Sequence, residues 1–390
     1  WLVRQAFDEF DLGHLLKATG MGEKQAVVGR QLLTGKMLHP SSELETERWL
    51  AEHSGAGELY TVDDDRSVSR FRLYRAATHM YKHKEEIEAH MYSKAYDMFS
   101  CRDQIVIYDL TNMYFEGQMK SSKKARFHRS KEKRNDCRLV GLALSIDSLG
   151  FVRYSKVYPG NIGEPKTFES MLDDVVKQLS PEKQTPVIVM DAGIATEDNL
   201  KIVKKREYDY VCVSRVFPSH YTKLSDKATQ LKDNRGHKIQ VTKVWVEEKQ
   251  EMFLQIKSHQ KQLKEASIDQ KIEQRFLTRM EYLKEGLSKP RRRKKIAAVH
   301  ETVGRIKDQN SKVAKHYKIK YIEDKEKQIV TDIKWEKQKE KQRPKGEYFL
   351  RYSKKKLTDK QIWDLYNLTR DVEACFRFLK TDLNIRPIFH

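Results

Sequence analysis

Three carboxylates of this chain are candidates for catalytic chemistry: Asp109, Asp191 and Glu373. Each aspartate directly follows an apolar run, 105–108 or 186–190, and such runs are typical of strands buried on both faces. A carboxylate at the end of a core strand loses hydration unless a cation or hydrogen-bond donors meet it. Taken singly, either aspartate is better explained as a strand-end residue that accepts local backbone hydrogen bonds. The repetition of the arrangement favours a functional site.

The residues between the two aspartates predict a β-β-β-α-β-α-β order. After the first strand, the predicted elements are strands at Leu139–Ile146 and Phe151–Tyr158, a helix from Glu164 to Leu179, the second apolar strand, a helix from Thr196, its N-cap candidate, to about Arg206 and a strand at Asp209–Val213. If the two aspartate-bearing strands are neighbours in the sheet, both carboxylates lie at one edge. Their repulsion would be costly unless a divalent metal ion sat between them.

Glu373 belongs to a predicted helix from about Asp359 to Lys380, with Thr358 as its N-cap. The predicted inner face consists of apolar residues, namely Ile362, Leu365, Val372, Phe376 and Leu379. Tyr366, Glu373 and Lys380 recur at seven-residue spacing and so form one stripe, with Arg370 and Arg377 beside it. The alternative is a solvent-facing stripe with ordinary salt bridges.

The composition points to a polyanionic partner. Lys plus Arg total 76 against 56 Asp plus Glu, a net charge of +20, which favours nucleic acid first and an acidic membrane surface second. Apolar residues at 38% and aromatic residues at 10% argue against a mainly disordered basic protein. The cysteines are scattered without zinc or disulfide spacing, and no transmembrane run or signal peptide is visible. We therefore expect a reduced, cytosolic chain that is soluble and not secreted, with nucleic acid and not a membrane as its partner.

Two basic segments are candidates for holding a phosphate backbone. Lys120–Arg134 includes Lys131, Lys133 and Arg134, and the alternative is a charged loop between strands. The segment 288–295 contains Arg291, Arg292 and Arg293 without any acidic residue, and the alternative is a solvated linker.

Two strand-end aspartates and a helix-borne glutamate in a basic chain form the ligand set of a two-metal phosphoryl-transfer site. Mg²⁺ prefers oxygen ligands and retains several waters, so three carboxylates and a substrate phosphate suffice. One ion would activate a water or a 3′-hydroxyl, and the other would stabilise charge on the leaving oxygen.

From about residue 100 onward, the chain resembles bacterial insertion-sequence transposases with an RNase H-like DDE core and a Tyr-Arg-Glu-Lys signature. The segments that carry the resemblance are Tyr108–Gly117, Ser130–Asp136, Val157–Asn161 with Glu164–Thr167, Val189–Gly193 and the Tyr366–Lys380 helix. Each is weak alone, and together they are specific.

The resemblance implies that Asp109, Asp191 and Glu373 are the metal ligands. It implies that Tyr366 and Lys380 contact transposon-end DNA, with Arg370 and Arg377 beside them. Thr369 occupies the place of the family's arginine, and Arg370 comes one residue later.

The implied fold is α/β: an RNase H-like mixed sheet flanked by helices, with an inserted β-rich and helical domain and an N-terminal helical region. The predicted domains are a helical region that is a candidate for DNA-end binding, the first part of the core, an inserted basic domain, and the final core strand and helix, at residues 1–100, 101–215, 216–345 and 346–390. Because the chain begins at Trp1 and ends at His390 soon after the signature helix, we expect a fragment of a longer reading frame.

The implied activity is cut-and-paste transposition: metal-dependent cleavage at element ends, then strand transfer by the freed 3′-hydroxyl. Two Mg²⁺ ions are expected, with Mn²⁺ able to substitute. The expected partners are transposon-end and target DNA and a second copy of the chain on DNA, in the nucleoid of a bacterial cytoplasm. Two alternatives stay open: a nuclease on the same core, and a truncated, non-catalytic DNA-binding inhibitor of transposition.

Overall fold

The computed structural model describes residues 1–56, 58–60, 68–99, 105–130, 134–177, 186–338, 343–354 and 356–389, and the side chains of 164, 165 and 389 are outside the description. The chain divides into two compact units. The core unit comprises Trp1–Thr222, Trp245–Leu254 and Leu350–His390, and the insert unit comprises Lys223–Val244 and Gln255–Phe349.

Helices make up the N-terminal region and recur through both units. They are α1 Leu2–Glu9, α2 Leu12–Ala18, α3 Glu23–Leu38, α4 Glu43–Arg48 with a π-helical turn at Trp49–His53, α5 Arg70–Lys82, α6 Lys84–Met98, α7 Glu164–Lys177, α8 Glu197–Lys205, α9 His259–Ser288, α10 Ile296–Gln309, α11 Ser311–Ala314, α12 Asp359–Asn367 and α13 Thr369–Thr381.

The strands begin after the N-terminal helices. They are β1 Ile105–Glu116, β2 Arg126–Phe127, β3 Arg138–Ile146, β4 Val152–Pro159, β5 Val187–Met190, β6 Asp209–Val213, β7 Thr222–Lys223, β8 Thr229–Lys232, β9 Lys238–Val246, β10 Glu251–Ser258, β11 Tyr317–Asp324, β12 Ile329–Lys337, β13 Glu347–Tyr352 and β14 Ile388–Phe389.

The core unit is built on a mixed sheet in which β1 is central. β1 pairs in parallel with β5 on one side and antiparallel with β3 on the other. β5 pairs in parallel with β6, and β3 forms an antiparallel hairpin with β4. The fold is therefore mixed α/β, and two strands that are distant in sequence, β1 and β5, become neighbours.

The apolar runs become strands because both of their faces are covered. Val106, Ile107 and Tyr108 on β1 are at most 1% exposed, and Phe168 of α7 is fully buried in one cluster with Val106 and Tyr108. The Tyr108 hydroxyl lies 2.6 Å from Oγ1 of Thr167, which ties α7 to β1. Burying each large apolar side chain contributes about 1.5–3 kcal/mol, so this cluster holds the aspartate-bearing strands in place.

The first strand does not end at Asp109, as its sequence pattern predicts, but continues to Glu116. Antiparallel pairing with β3 runs on from Asp109 opposite Leu144 to Tyr114 opposite Leu139. Beyond Asp109, Met113 and Phe115 pack into a separate apolar cluster. The partner strand and this second cluster sustain the extension, and neither is visible in the apolar run alone.

The prediction of one continuous helix over 359–380 is also wrong, because α12 ends at Asn367 and α13 begins at Thr369. Thr358 caps α12 as predicted, in a capping box with Gln361. At the break, Asn367 Nδ2 donates to the carbonyl of Trp363 at 2.9 Å, and Thr369 Oγ1 donates to that of Tyr366 at 2.8 Å. Such side-chain bonds compete with the backbone hydrogen bonds of a helix. Tyr366 therefore lies on a different helix from Glu373 and Lys380.

The insert unit packs α9, α10 and α11 around the antiparallel hairpin of β11 and β12. Its core includes Phe276 and Met280 of α9, Val303 of α10 and Ile333 of β12, each fully buried. The helix α10 begins directly after the basic segment 288–295. Among the described residues, no helix has the length and apolarity needed to cross a bilayer.

Candidate active site

The two aspartate-bearing strands, β1 and β5, are neighbours in the sheet. The parallel pairing of β1 with β5 runs from Ile105 opposite Val187 to Tyr108 opposite Met190. The next residue in each strand direction is an aspartate, Asp109 or Asp191. Neighbouring strands lie about 4.8 Å apart, so the two carboxylates start from adjacent backbone positions at one end of the pairing.

Each aspartate is half-buried and accepts a hydrogen bond from nearby backbone. Asp109 Oδ1 accepts from the Leu110 N–H at 2.7 Å, and Asp191 Oδ1 accepts from the Ile194 N–H at 2.9 Å. Local bonds of this kind also occur at aspartates that have no catalytic role. They also orient the two carboxylates, because each bond restricts the rotation of its side chain.

The loop that carries Asp191 is held by side chains from other elements. The Arg215 guanidinium donates to the carbonyls of Ala192 and Gly193. At the far end of the loop, Thr196 caps α8 by accepting from the Asn199 N–H at 3.2 Å, as predicted, and Asn199 Nδ2 donates to the Ile194 carbonyl at 2.8 Å. Asp191 therefore sits in a loop of restricted conformation.

The helices at the end of the chain bring further charges toward Asp191. α13 packs against β1 and β3. Burial raises the pKa of Tyr366, Arg370 opposes that rise, and the Glu373 and Asp191 carboxylates add to it. The Tyr366 phenol thus responds to the charges of Arg370, Glu373 and Asp191.

The donor chemistry of the three carboxylates suits Mg²⁺, which takes hard oxygen ligands. In the described ranges, however, no three His, Cys, Asp or Glu side chains converge as a group that could hold a metal ion. Asp109 and Asp191 are neighbours, and Glu373 does not complete a three-ligand shell with them. The metal assignment therefore stays a prediction.

Of the predicted DNA contacts near this site, Arg370 and Arg377 are exposed on α13. Lys380 is half-buried, and its ammonium lies 6.0 Å from the centre of the Phe376 ring. Its stem is partly packed on apolar surface, an arrangement that leaves a lysine head group able to reach water or an anion.

The predicted contacts in the first basic segment have a different character. Arg134 bonds Glu116 at 2.8 Å and Asp136 at 3.0 Å, and its guanidinium lies 4.9 Å from the centre of the Tyr114 ring. Hydrogen bonds to Asp136 and then to Glu116 raise the pKa of Arg134. This arginine is thus tied to the end of β1.

Lys131 and Lys133 lie outside the described residues. Arg291, Arg292 and Arg293 are exposed in the insert unit.

A buried ion cluster behind the Asp191 loop was missed by sequence reasoning. Arg351 of β13 is 4% exposed, and its guanidinium bonds Glu251 at 2.8 and 2.9 Å and Glu197 at 2.8 Å. Lys249 bonds Glu197 at 2.9 Å, and Lys204 bonds Glu251. The available signal was an arginine inside a strand that is otherwise apolar and aromatic, Phe349–Tyr352.

The cluster fixes both carboxylates in their charged form. Burial opposes ionisation of Glu197, but hydrogen bonds from Arg351 and Lys249 outweigh it and lower the pKa of Glu197 to about 2. Burial likewise opposes ionisation of Glu251, and Arg351 and Lys204 still lower its pKa. Because Glu197 lies in the first turn of α8, the cluster anchors the helix that follows the Asp191 loop.

Comparisons with known proteins give limited likeness. No protein-family model and no curated protein matches this chain. Among solved structures, the chain is similar to a piggyBac transposase synaptic complex with hairpin DNA, at 12% identity and a TM-score of 0.31, over 57% of this chain and 49% of that one. It is also similar to a Mos1 transposase paired-end complex with the left transposon end, at 10% identity and a TM-score of 0.21, over 49% of this chain and 60% of that one. The chain thus spans about half to three-fifths of these proteins, and likeness at this level carries no argument about activity.

Proposed function

We propose that this chain is a DNA transposase of an insertion sequence, a DDE enzyme on an RNase H-like core with Asp109, Asp191 and Glu373 as catalytic carboxylates. The observation that carries the proposal is the parallel pairing of β1 and β5, after which the next residue in both strands is an aspartate. Support also comes from the packing of α13, the helix of Glu373, against β1. The net charge of +20 supports DNA as substrate and partner.

The three carboxylates would hold two Mg²⁺ ions, or Mn²⁺ in their place. The metal would supply a lowered pKa for the attacking water or 3′-hydroxyl and charge stabilisation for the leaving oxygen. Asp109 and Asp191 would present oriented carboxylates, since each already accepts a backbone hydrogen bond. Arg370, Arg377, Lys380 and the half-buried Tyr366 would hold DNA phosphates beside them.

The proposed transposition is of the cut-and-paste type, in which a freed 3′-hydroxyl joins the element to target DNA. The resemblance to transposases that pair two element ends leads us to propose a homodimer on DNA. The setting we propose is the nucleoid of a bacterial cytoplasm.

The test is strand cleavage and joining on a supercoiled plasmid that carries the DNA flanking the coding sequence, with Mg²⁺, Mn²⁺ or EDTA. The matched control is Asp191→Asn, which removes the charge while keeping nearly the same shape. We expect metal-dependent nicking followed by joined products, both lost in the control. Cleavage that persists in EDTA or in Asp191→Asn would contradict the proposed site.

A non-catalytic DNA-binding role is the second candidate, and one observation favours it. In the described part of the chain, no three-carboxylate group is assembled for a metal ion. A chain that binds element ends but whose melting temperature does not respond to Mg²⁺, and which never nicks DNA, would be an end-binding inhibitor. A metal-dependent nuclease on the same core is distinguished by cleavage without joined products.

A further inference from the structure

The insert unit contains a basic cavity of about 510 Å³ between α9 and α10. Each helix contributes one face at i, i+3, i+4 and i+7 spacing, and the loop after α9 closes one side. The lining residues are Arg279, Tyr282, Leu283 and Gly286 from α9, Arg291, Arg292 and Arg293 from the loop, and Thr302, Arg305, Ile306 and Gln309 from α10. We call this cavity the arginine pocket.

The charge of the arginine pocket is poorly neutralised. None of its lining residues is acidic. Arg305 pairs with Glu301 at 2.5 Å, but those side chains are 72% and 61% exposed, and an ion pair this exposed to solvent is weak. Arg279 donates to Gln309 Oε1, which carries no charge. Within the described ranges, Arg291 and Arg293 have no carboxylate at ion-pair distance, so the pocket attracts an anion.

An aromatic ring stands among these arginines. Tyr282 is 61% exposed. The Arg292 guanidinium lies 5.4 Å from the centre of this ring and donates to the Tyr282 hydroxyl at 3.0 Å. These two contacts fix the ring while leaving most of it open to solvent. A fixed, exposed ring is suited to stacking against a planar group.

We infer that the arginine pocket binds a single-stranded segment of nucleic acid. Guanidinium groups hold phosphates through paired hydrogen bonds, and Tyr282 stacks on one base. The cavity is within the size range of pockets that enclose small molecules, and its concave shape admits one or two nucleotides. A double helix has its bases already stacked on one another, so it offers no free base to the Tyr282 ring and gains only the phosphate contacts. The inference rests on the proposed function in taking DNA as the ligand, and it does not require cleavage.

The test compares binding of a fluorescent single-stranded DNA and the matching duplex by anisotropy over a range of salt concentrations, using the full chain. The triple variant Arg279→Gln/Arg293→Gln/Arg305→Gln removes three phosphate contacts. We expect the slope of log K against log salt for the single strand to shrink by about 2, since each contact contributes about 0.7. Tyr282→Leu should weaken single-strand binding by roughly 5- to 150-fold, and Tyr282→Phe should retain it.

The matched control is Lys315→Gln/Lys318→Gln/Lys320→Gln, which removes three exposed charges elsewhere in the same unit. We expect a smaller change of slope in this control, and unchanged melting temperatures in every variant. An equal loss in the control, or an equal loss for duplex and single strand, would overturn the inference in favour of a general basic surface. Competition by polyglutamate as effective as unlabelled DNA would overturn it in favour of any acidic polymer.

The two proposals fail separately. A wild-type chain that binds the oligonucleotide through the pocket and never nicks the plasmid contradicts the transposase proposal and supports the pocket. A chain that cleaves and joins DNA, but whose pocket variants bind single strands as the wild type does, contradicts the pocket alone.

Discussion

Replacing Arg351 with Met should destabilise the core unit in a pH-dependent way. The Arg351 and Glu251 side chains are 5% and 9% exposed, and removing one partner of such a buried pair costs about 3–5 kcal/mol. Lys204 still pairs with Glu251, which favours the lower end of that range. The Glu197 side chain is 50% exposed, so solvent screens its ion pair with Arg351, and loss of that pair adds at most about 1 kcal/mol to the cost. We expect a loss of about 3 kcal/mol at neutral pH.

The pH dependence follows from the lowered carboxylate pKa values. Glu197 has a folded pKa of about 2 against an ordinary 4.5, and the folded pKa of Glu251 is lowered as well. A depressed folded pKa contributes stability above the unfolded pKa, and that stability is lost as the pH falls through the folded value. The difference between wild type and Arg351→Met should therefore be largest above about pH 4.5 and shrink toward pH 2.

The assay is urea unfolding followed by tryptophan fluorescence, at neutral pH and at steps below pH 5. The double variant Arg351→Met/Glu251→Gln completes a mutant cycle, and it should recover part of the loss because no buried charge is left unpaired. Lys201→Met, which breaks an exposed pair with Asp198, is the control and should cost less than about 0.5 kcal/mol. A loss for Arg351→Met below about 1 kcal/mol, or one that is constant with pH, would refute this reasoning.

Three further predictions concern the site and its support. Glu373→Ala should abolish plasmid nicking while leaving gel-shift binding of element-end DNA intact; nicking that survives would remove Glu373 from the catalytic set. Lys380→Ala should weaken end binding by several-fold and leave the melting temperature nearly unchanged, because its side chain is only half-buried and its ammonium lies 6.0 Å from the centre of the Phe376 ring; a large fall in melting temperature would indicate a structural role instead. Phe168→Ala should cost about 3–5 kcal/mol in urea unfolding, since this fully buried ring packs edge-on to Tyr108; a cost below about 1 kcal/mol would show that the cluster behind β1 collapses freely.

Local patterns in the sequence determined most of the elements that position the candidate site. The strands β3, β4, β5 and β6 and the helices between them follow from apolar periodicity and turn residues, which act over a few positions. The caps at Thr196 and Thr358 were readable because a cap bonds a backbone N–H only three residues on. The repetition of an aspartate after two apolar runs likewise singled out Asp109 and Asp191.

The tertiary structure decided what depends on partners distant in the chain. The length of β1 is set by its pairing with β3, and the pairing of β1 with β5 makes Asp109 and Asp191 neighbours. The helix breaks before Thr369, so Tyr366 and Glu373 lie on different helices. At the break, the Thr369 side chain bonds the Tyr366 carbonyl and competes with the backbone hydrogen bonds of the helix. Arg351 is buried because two carboxylates from other elements meet it. The physical reason is common to all of these features: sequence periodicity records which face of an element is apolar, whereas strand pairing and buried charge are stable only when a partner supplied by the rest of the fold satisfies them.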